Sequence, residues 1–123
     1  MHLLRSAFES AVNFAMRLPE LFCGFPRVQG APPIAYPVAC SPQAWAAAAL
    51  FSLLQSCLGL RIDAVRGKVS LHAPRLPPFI DWVRVQRLQV GDANVDLLMQ
   101  RYAHNVGVEA LRKEGTLEVA VVM

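Results

Sequence analysis

The stretch Ala44 to Leu60 constrains this chain most. It runs for 17 residues without a single charged side chain. Ser41-Pro42 precedes it, a serine suited to an N-cap and a proline suited to the first helical position. Gly59 closes it as a helix C′ residue. The spacing therefore predicts a helix over residues 42–58 that is apolar almost all round, with Trp45, Leu50, Phe51, Leu53 and Leu54 among four consecutive alanines. A helix without a polar face is one surrounded by protein. At 17 residues it sits at the lower edge of a membrane span, and Gln55 and two serines interrupt it, so a buried core helix is the expectation and no membrane partner is assigned.

Before it, Leu3, Leu4, Ala7, Phe8, Ala11, Val12 and Ala15 fall at helical spacing and predict an amphipathic helix over 2–16. Pro19 forbids its continuation. Glu9 and the polar Ser6, Ser10 and Asn13 break up any secretory h-region. Residues 17–40 read as a long loop rich in proline, with Phe22, Phe25 and Tyr36 in it; ordered loops of that length tend to be functional.

After Gly59 the apolar period changes from 3.6 to two. Short strands are expected at 60–62 and 69–71, a longer one over 82–90, and others around 95–99, 106–110 and 117–123. Alternation slips between Val85 and Leu88, which places a bulge near Arg87. Gly91-Asp92 makes a turn. The expected architecture is α+β: residues 1–59 helical, residues 60–123 an antiparallel sheet of about five or six strands.

At 123 residues the chain is one domain or a piece of one, and 54% hydrophobic content excludes disorder. Twelve Lys plus Arg against nine Asp plus Glu give a formal charge of +3, but the charges are scattered. Clustering, not net charge, marks a nucleic-acid binder, so none is expected. Cys23, Cys40 and Cys57 are odd in number and form no CxxC pair. A disulfide framework and a zinc site are therefore not expected, and free thiols in a reducing cytoplasm are. His2, His72 and His104 share no ligand spacing, so neither a metal nor another cofactor is assigned. No GxGxxG, P-loop or HExxH pattern occurs.

Glu20 is the candidate for chemistry. It follows Pro19 in Arg17-Leu18-Pro19-Glu20-Leu21-Phe22-Cys23-Gly24, where apolar neighbours can hold a carboxylate at a pocket edge and Arg17 or Arg27 can keep it ionised. The aromatics Phe22, Phe25, Tyr36 and Trp45 offer surfaces for sugar rings. Gln43 and Trp45 fall in the first turn of the apolar helix, at its positive end. Spacing alone favours the plainer readings: an exposed loop glutamate, a solvated Gln43 and a core Trp45.

Two segments carry a resemblance: Arg17 to Gly24, and Tyr36-Pro-Val-Ala-Cys-Ser-Pro-Gln-Ala-Trp45. Together they resemble the C-terminal part of bacterial amylo-alpha-1,6-glucosidases, the glycogen-debranching-type glycoside hydrolases, and the resemblance extends over essentially all 123 residues. It implies an (α/α)6 barrel, of which this chain supplies the terminal helical hairpin with active-site loop 17–40, followed by the β-region. It implies acid/base chemistry with two carboxylates, Glu20 matching the general base, and an α-glucan or oligosaccharide substrate. Gln43, Trp45, Tyr36 and Arg27 match the substrate-binding surroundings. The family's general acid lies upstream of the matched region. The chain alone is then expected to be inactive, needing the missing N-terminal part of the barrel or self-association to cover its helices. Met1 would be an internal methionine, a late start or the end of a split gene. The alternative is a non-enzymatic α+β module that binds carbohydrate or protein through exposed apolar helices.

Overall fold

The computed structural model describes residues 2–26, 28 and 30–123. Its elements are α1 (His2–Val12), α2 (Ala44–Leu58) and six strands: β1 (Leu60–Asp63), β2 (Lys68–His72), β3 (Trp82–Val90), β4 (Ala93–Arg101), β5 (Val106–Glu114) and β6 (Glu118–Val122). The chain is α+β, with two helices and two three-stranded sheets among the described residues. It divides into two compact units, Met1–Leu54 and Gln55–Met123.

In the first unit, α1 stops at Val12, short of the expected Met16. The chain closes the helix with a bond from the Met16 N–H to the Ala11 carbonyl, and Ala15 and Met16 take left-handed φ values of 51° and 63°. That 6→1 bond is the signature of a Schellman-type end. It brings Leu18 back onto the helices, where Ala11, Leu18, Ala46 and Leu50 form a buried cluster flanked by Ala7 and Phe22. Ala7 and Ala11, like Ala46 and Leu50, are one turn apart, so each helix contributes a single stripe. The expectation that α2 is covered on every side is not met by this unit alone: Trp45 is 62% and Phe51 73% exposed.

The start of α2 also differs from expectation. The Gln43 carbonyl accepts the first intrahelical bond, from Ala47 N–H at 2.9 Å, and the Gln43 Oε1 accepts the Ala44 N–H at 3.2 Å. Gln43, not Ser41, therefore occupies the cap, and helix begins two residues after Pro42, which follows a cis peptide bond.

In the second unit the expected strands are present, but they form two sheets rather than one. β3, β4 and β5 make an antiparallel meander; β1, β2 and β6 make the other sheet, with β2 and β6 parallel. Alternation reports that a segment is a strand and which face is apolar; it carries no information on the partner. β6 therefore joins a strand 50 residues upstream, Lys68 opposite Glu118. The ion pair between these two side chains, at 2.7 Å, sits at that register.

The buried face of the meander is set by β4. Ala93, Val95, Leu97 and Met99 are buried and alternate with the polar Asn94 and Asp96. The bulge at Arg87 is present: the register shifts between Val85 and Leu88, and Arg87 has φ +52°. A second bulge lies between Asp96 and Leu97 in the pairing of β4 with β5. Val90 pairs with Ala93 around Gly91-Asp92, and Gly91 takes φ +60°, as a type II′ hairpin loop requires at its first position. The proline-rich link before β3 is tied down by Arg101, whose Nη2 donates to the carbonyls of Leu76, Pro77 and Ile80.

Candidate functional site

The loop carrying Glu20 is ordered by backbone pairing between the two segments singled out in the sequence. Phe22 and Ala35 form an antiparallel bridge. The Cys23 N–H donates to the Ile34 carbonyl at 2.8 Å and the Tyr36 N–H to the Leu21 carbonyl at 3.0 Å. One step further out, the Glu20 N–H donates to the Cys40 carbonyl at 2.9 Å, and the Gln43 N–H donates to the Leu18 carbonyl at 3.2 Å. The Cys40 N–H in turn points back at the Glu20 carboxylate, 3.4 Å from Oε2. Residues 18–23 and 34–43 thus run as an irregular two-stranded ribbon, with Glu20 and Gln43 both on it.

The ribbon rests on the first unit's core. Leu18 and Pro19 are buried, and the Phe22 ring meets Phe14 edge-on at 5.5 Å between centroids, the geometry that aromatic quadrupoles favour. Two proline-flanked segments separated by about a dozen residues pair because each supplies N–H and C=O groups that a proline-rich loop would otherwise leave to solvent. Glu20 is half-buried on this ribbon. Tyr36 and Trp45 are exposed, at 48% and 62%. Gln43 is half-buried at the α2 cap. Arg27 lies outside the described residues. The structure therefore brings Glu20 and Gln43 onto one ordered ribbon with Tyr36, and puts Trp45 on the helix turn that follows.

Cys23, Cys40 and Cys57 are free thiols, the Cys23 Sγ lying 3.8 Å from the Ala35 carbonyl. Among the described residues no group of three or more His, Cys, Asp or Glu side chains is arranged to hold a metal ion. No helix among them is long and apolar enough to cross a membrane.

A second polar site was not foreseen. The second unit has an open cleft of about 380 Å³ at the Gly91 end of the meander. Gln89, Asn94 and Glu114 form one row across its three strands, each opposite the next in register. Arg87 and Arg112 line it from the next row, and Asp92 lines it from the turn. None of the candidate site residues named from the sequence is among them. The Asn94 Nδ2 donates to Glu114 at 2.8 Å, and Arg112 also donates to Glu114. Asp96, only 7% exposed, accepts the Arg87 N–H at 2.7 Å and faces the Arg84 guanidinium at 3.4 Å.

These contacts hold both carboxyls below the ordinary carboxylate range. For Asp96 the backbone bond from Arg87 dominates; burial opposes it, and the Arg84 bond and charge add to it. For Glu114 the Asn94 bond comes first, then the bond and charge of Arg112. A carboxyl whose pKa is depressed on folding stabilises the fold above its unfolded value, and that contribution disappears as pH falls through the folded value. The melting temperature is therefore expected to be flat with respect to these two groups near neutrality and to fall as pH drops below about 4, where unfolded Asp and Glu titrate. Asp96→Asn should make that acid limb shallower. A melting series from pH 7 to pH 2 measures it, and an unchanged limb in Asp96→Asn would remove Asp96 from the account.

Comparison with protein-family models, with curated proteins and with solved structures finds no match to this chain.

Proposed function

We propose that this chain is the C-terminal part of a debranching-type glycoside hydrolase, in which Glu20 is the general base for cleavage of α-1,6-glucosidic bonds. The observation that carries the reading is the ribbon. The two segments that resemble the family are separated by residues 25–35, and they are bonded to each other through Glu20 and Cys40 in both directions, 2.9 Å and 3.4 Å. A loop glutamate of no consequence has no need of such a frame. The exposed apolar side chains of both helices, Leu3 on α1 and Trp45 and Phe51 on α2, support the second half of the proposal. They are what the last hairpin of an (α/α)6 barrel presents to neighbouring helices, supplied by an upstream segment.

In the chemistry proposed, Glu20 accepts a proton from a water molecule as the water oxygen bonds to the anomeric carbon. The bond from that carbon to the glycosidic oxygen breaks, and a carboxylic acid from the upstream segment protonates the departing oxygen. Attack on the face opposite the leaving group inverts the anomeric configuration and needs about 6.5–9.5 Å between the two carboxyl groups. Tyr36 and Trp45 supply ring faces for sugar, Gln43 an amide at the rim, and Arg27 a further donor. The proposed setting is the cytoplasm, and the substrate an α-glucan or oligosaccharide. On this reading the product of an α-1,6-linked glucoside is first released as the β-anomer. Proton NMR of the anomeric region during hydrolysis by the completed enzyme checks this; initial release of the α-anomer would make Glu20 something other than the base.

A further inference from the structure

We infer that the cleft at the Gly91 end of the meander is a binding site for a small neutral polyhydroxylated molecule, a sugar or polyol. The inference goes beyond the reading of Glu20 and does not depend on it, because the cleft lies wholly within the second unit.

Three observations carry it. The first is a buried charge, itself outside the lining, that is bonded to the backbone of the lining residue Arg87. Asp96 sits on the polar side of β4, opposite Val95 and Leu97, and is nevertheless almost fully buried. Its Oδ1 accepts the Arg87 N–H at 2.7 Å, and Arg84 approaches its Oδ2. The second is the backbone. Bulges fall on both flanks of Asp96, one in β3 at Arg87 and one in the pairing with β5. Arg87 takes φ +52°, a conformation that bulky residues rarely adopt. Bulges re-aim side chains and gather beside functional sites, and here the strained residue is the one whose side chain lines the cleft. Asp96 acts as the positioning residue that holds Arg87 in this conformation.

The third observation is the balance of groups, which selects the ligand. Arg87 and Arg112 donate, Asp92 and Glu114 accept, and Gln89 and Asn94 do both. The two cations are matched by two anions, and Arg112 is already engaged by Glu114. A phosphate or carboxylate would meet as much repulsion as attraction. A molecule that presents neighbouring hydroxyls, each donor and acceptor at once, satisfies carboxylate, amide and guanidinium together. Among the described residues no aromatic ring lines the cleft to stack on it, so the affinity expected is weak, in the millimolar range set by a handful of hydrogen bonds.

The test is a titration of the full chain, ¹⁵N-labelled, followed by amide NMR, with glucose as probe and inorganic phosphate as the contrasting probe. Glucose is expected to move resonances of residues 87–96 and 112–114; phosphate is expected to leave them in place. Arg87→Asn removes the guanidinium while keeping a residue at ease with positive φ, and it should weaken glucose binding by about tenfold. Gln89→Ala, on the exposed side of β3, is the second variant and should also weaken it. The inference is overturned if glucose moves nothing in the cleft up to about 100 mM, a hundredfold above a millimolar constant. Cleft shifts with phosphate instead of glucose would overturn it in favour of an anion site. Undiminished glucose binding in both variants would overturn it too.

Discussion

Glu20→Gln, made in the chain joined to the segment that completes the barrel, is expected to lower turnover on α-1,6-linked glucosides by about 10²–10⁴-fold, the usual loss for one positioned proton-transfer group. The substitution leaves the frame around this position intact. The backbone N–H there still donates to the Cys40 carbonyl, and the oxygen of the new side-chain amide can still accept the Cys40 N–H that now faces Glu20 Oε2. The effect should thus fall on kcat with little change in KM, because the interaction lost belongs to the transition state. The pH profile supplies the check that a merely structural residue would not pass: the limb due to the base should vanish in the variant. Full activity in Glu20→Gln would mean that another group activates water.

Gly59→Ala is expected to cost the fold about 3 kcal/mol or more, the sum of a left-handed backbone forced on a residue with a Cβ and an overpacked contact. Gly59 has φ +57°, and a Cβ there would stand 2.0 Å from the His72 carbonyl oxygen and 2.9 Å from its carbon. Neither atom can retreat easily. The His72 N–H donates to the Gly59 carbonyl at 3.0 Å, and the next N–H, of Ala73, bonds to Val122 on β6 at 2.7 Å. The glycine thus ends α2, opens β1 and lies against the last residue of β2, all at one point. Gly91→Ala is the comparison: its φ is +60°, but nothing lies within 4 Å of the added carbon, so only the backbone cost of about 1–2 kcal/mol remains. Chemical denaturation of both variants measures the difference. Equal losses would show that the close approach to His72 contributes nothing.

Gly59 also shows what was legible in the sequence. It follows an uncharged run and precedes a period-two pattern, so the helix end and the strand start could be read from it. The bulge at Arg87 was legible for a similar reason: Val83 and Val85 are out of phase with Leu88 and Val90, and only an inserted residue restores the apolar face. Other boundaries were hidden. The turn that closes α1 puts Ala15 in a left-handed conformation, where a glycine would have announced the stop. Ser41 and Pro42 have the composition of a helix start, yet Gln43 makes the cap because its own N–H is held by Leu18.

Pairing between distant segments was the least legible feature. The parallel partnership of β2 with β6 depends on contacts across 50 residues, to which alternation is blind. The first site was readable only as two segments of interest; that they pair, with Cys40 against Glu20, is tertiary information. The polar cleft left almost no trace. Its residues come from three strands and a turn, and most of them, taken singly, are ordinary polar surface positions. The one usable signal was the bulge, which marked Arg87 as a residue out of line without saying what stood opposite it.

The central claim is that Glu20 belongs to a glycosidase whose remaining helices are encoded elsewhere. The most direct measurement is glucose release from an α-1,6-linked glucan by this chain joined to the polypeptide encoded immediately upstream of Met1. The account predicts a reading frame there that adds barrel helices and a second carboxylic acid, and a joined protein that releases glucose where the 123-residue chain alone does not. A folded joined protein that releases none, or an upstream region that encodes no such helices, would contradict it.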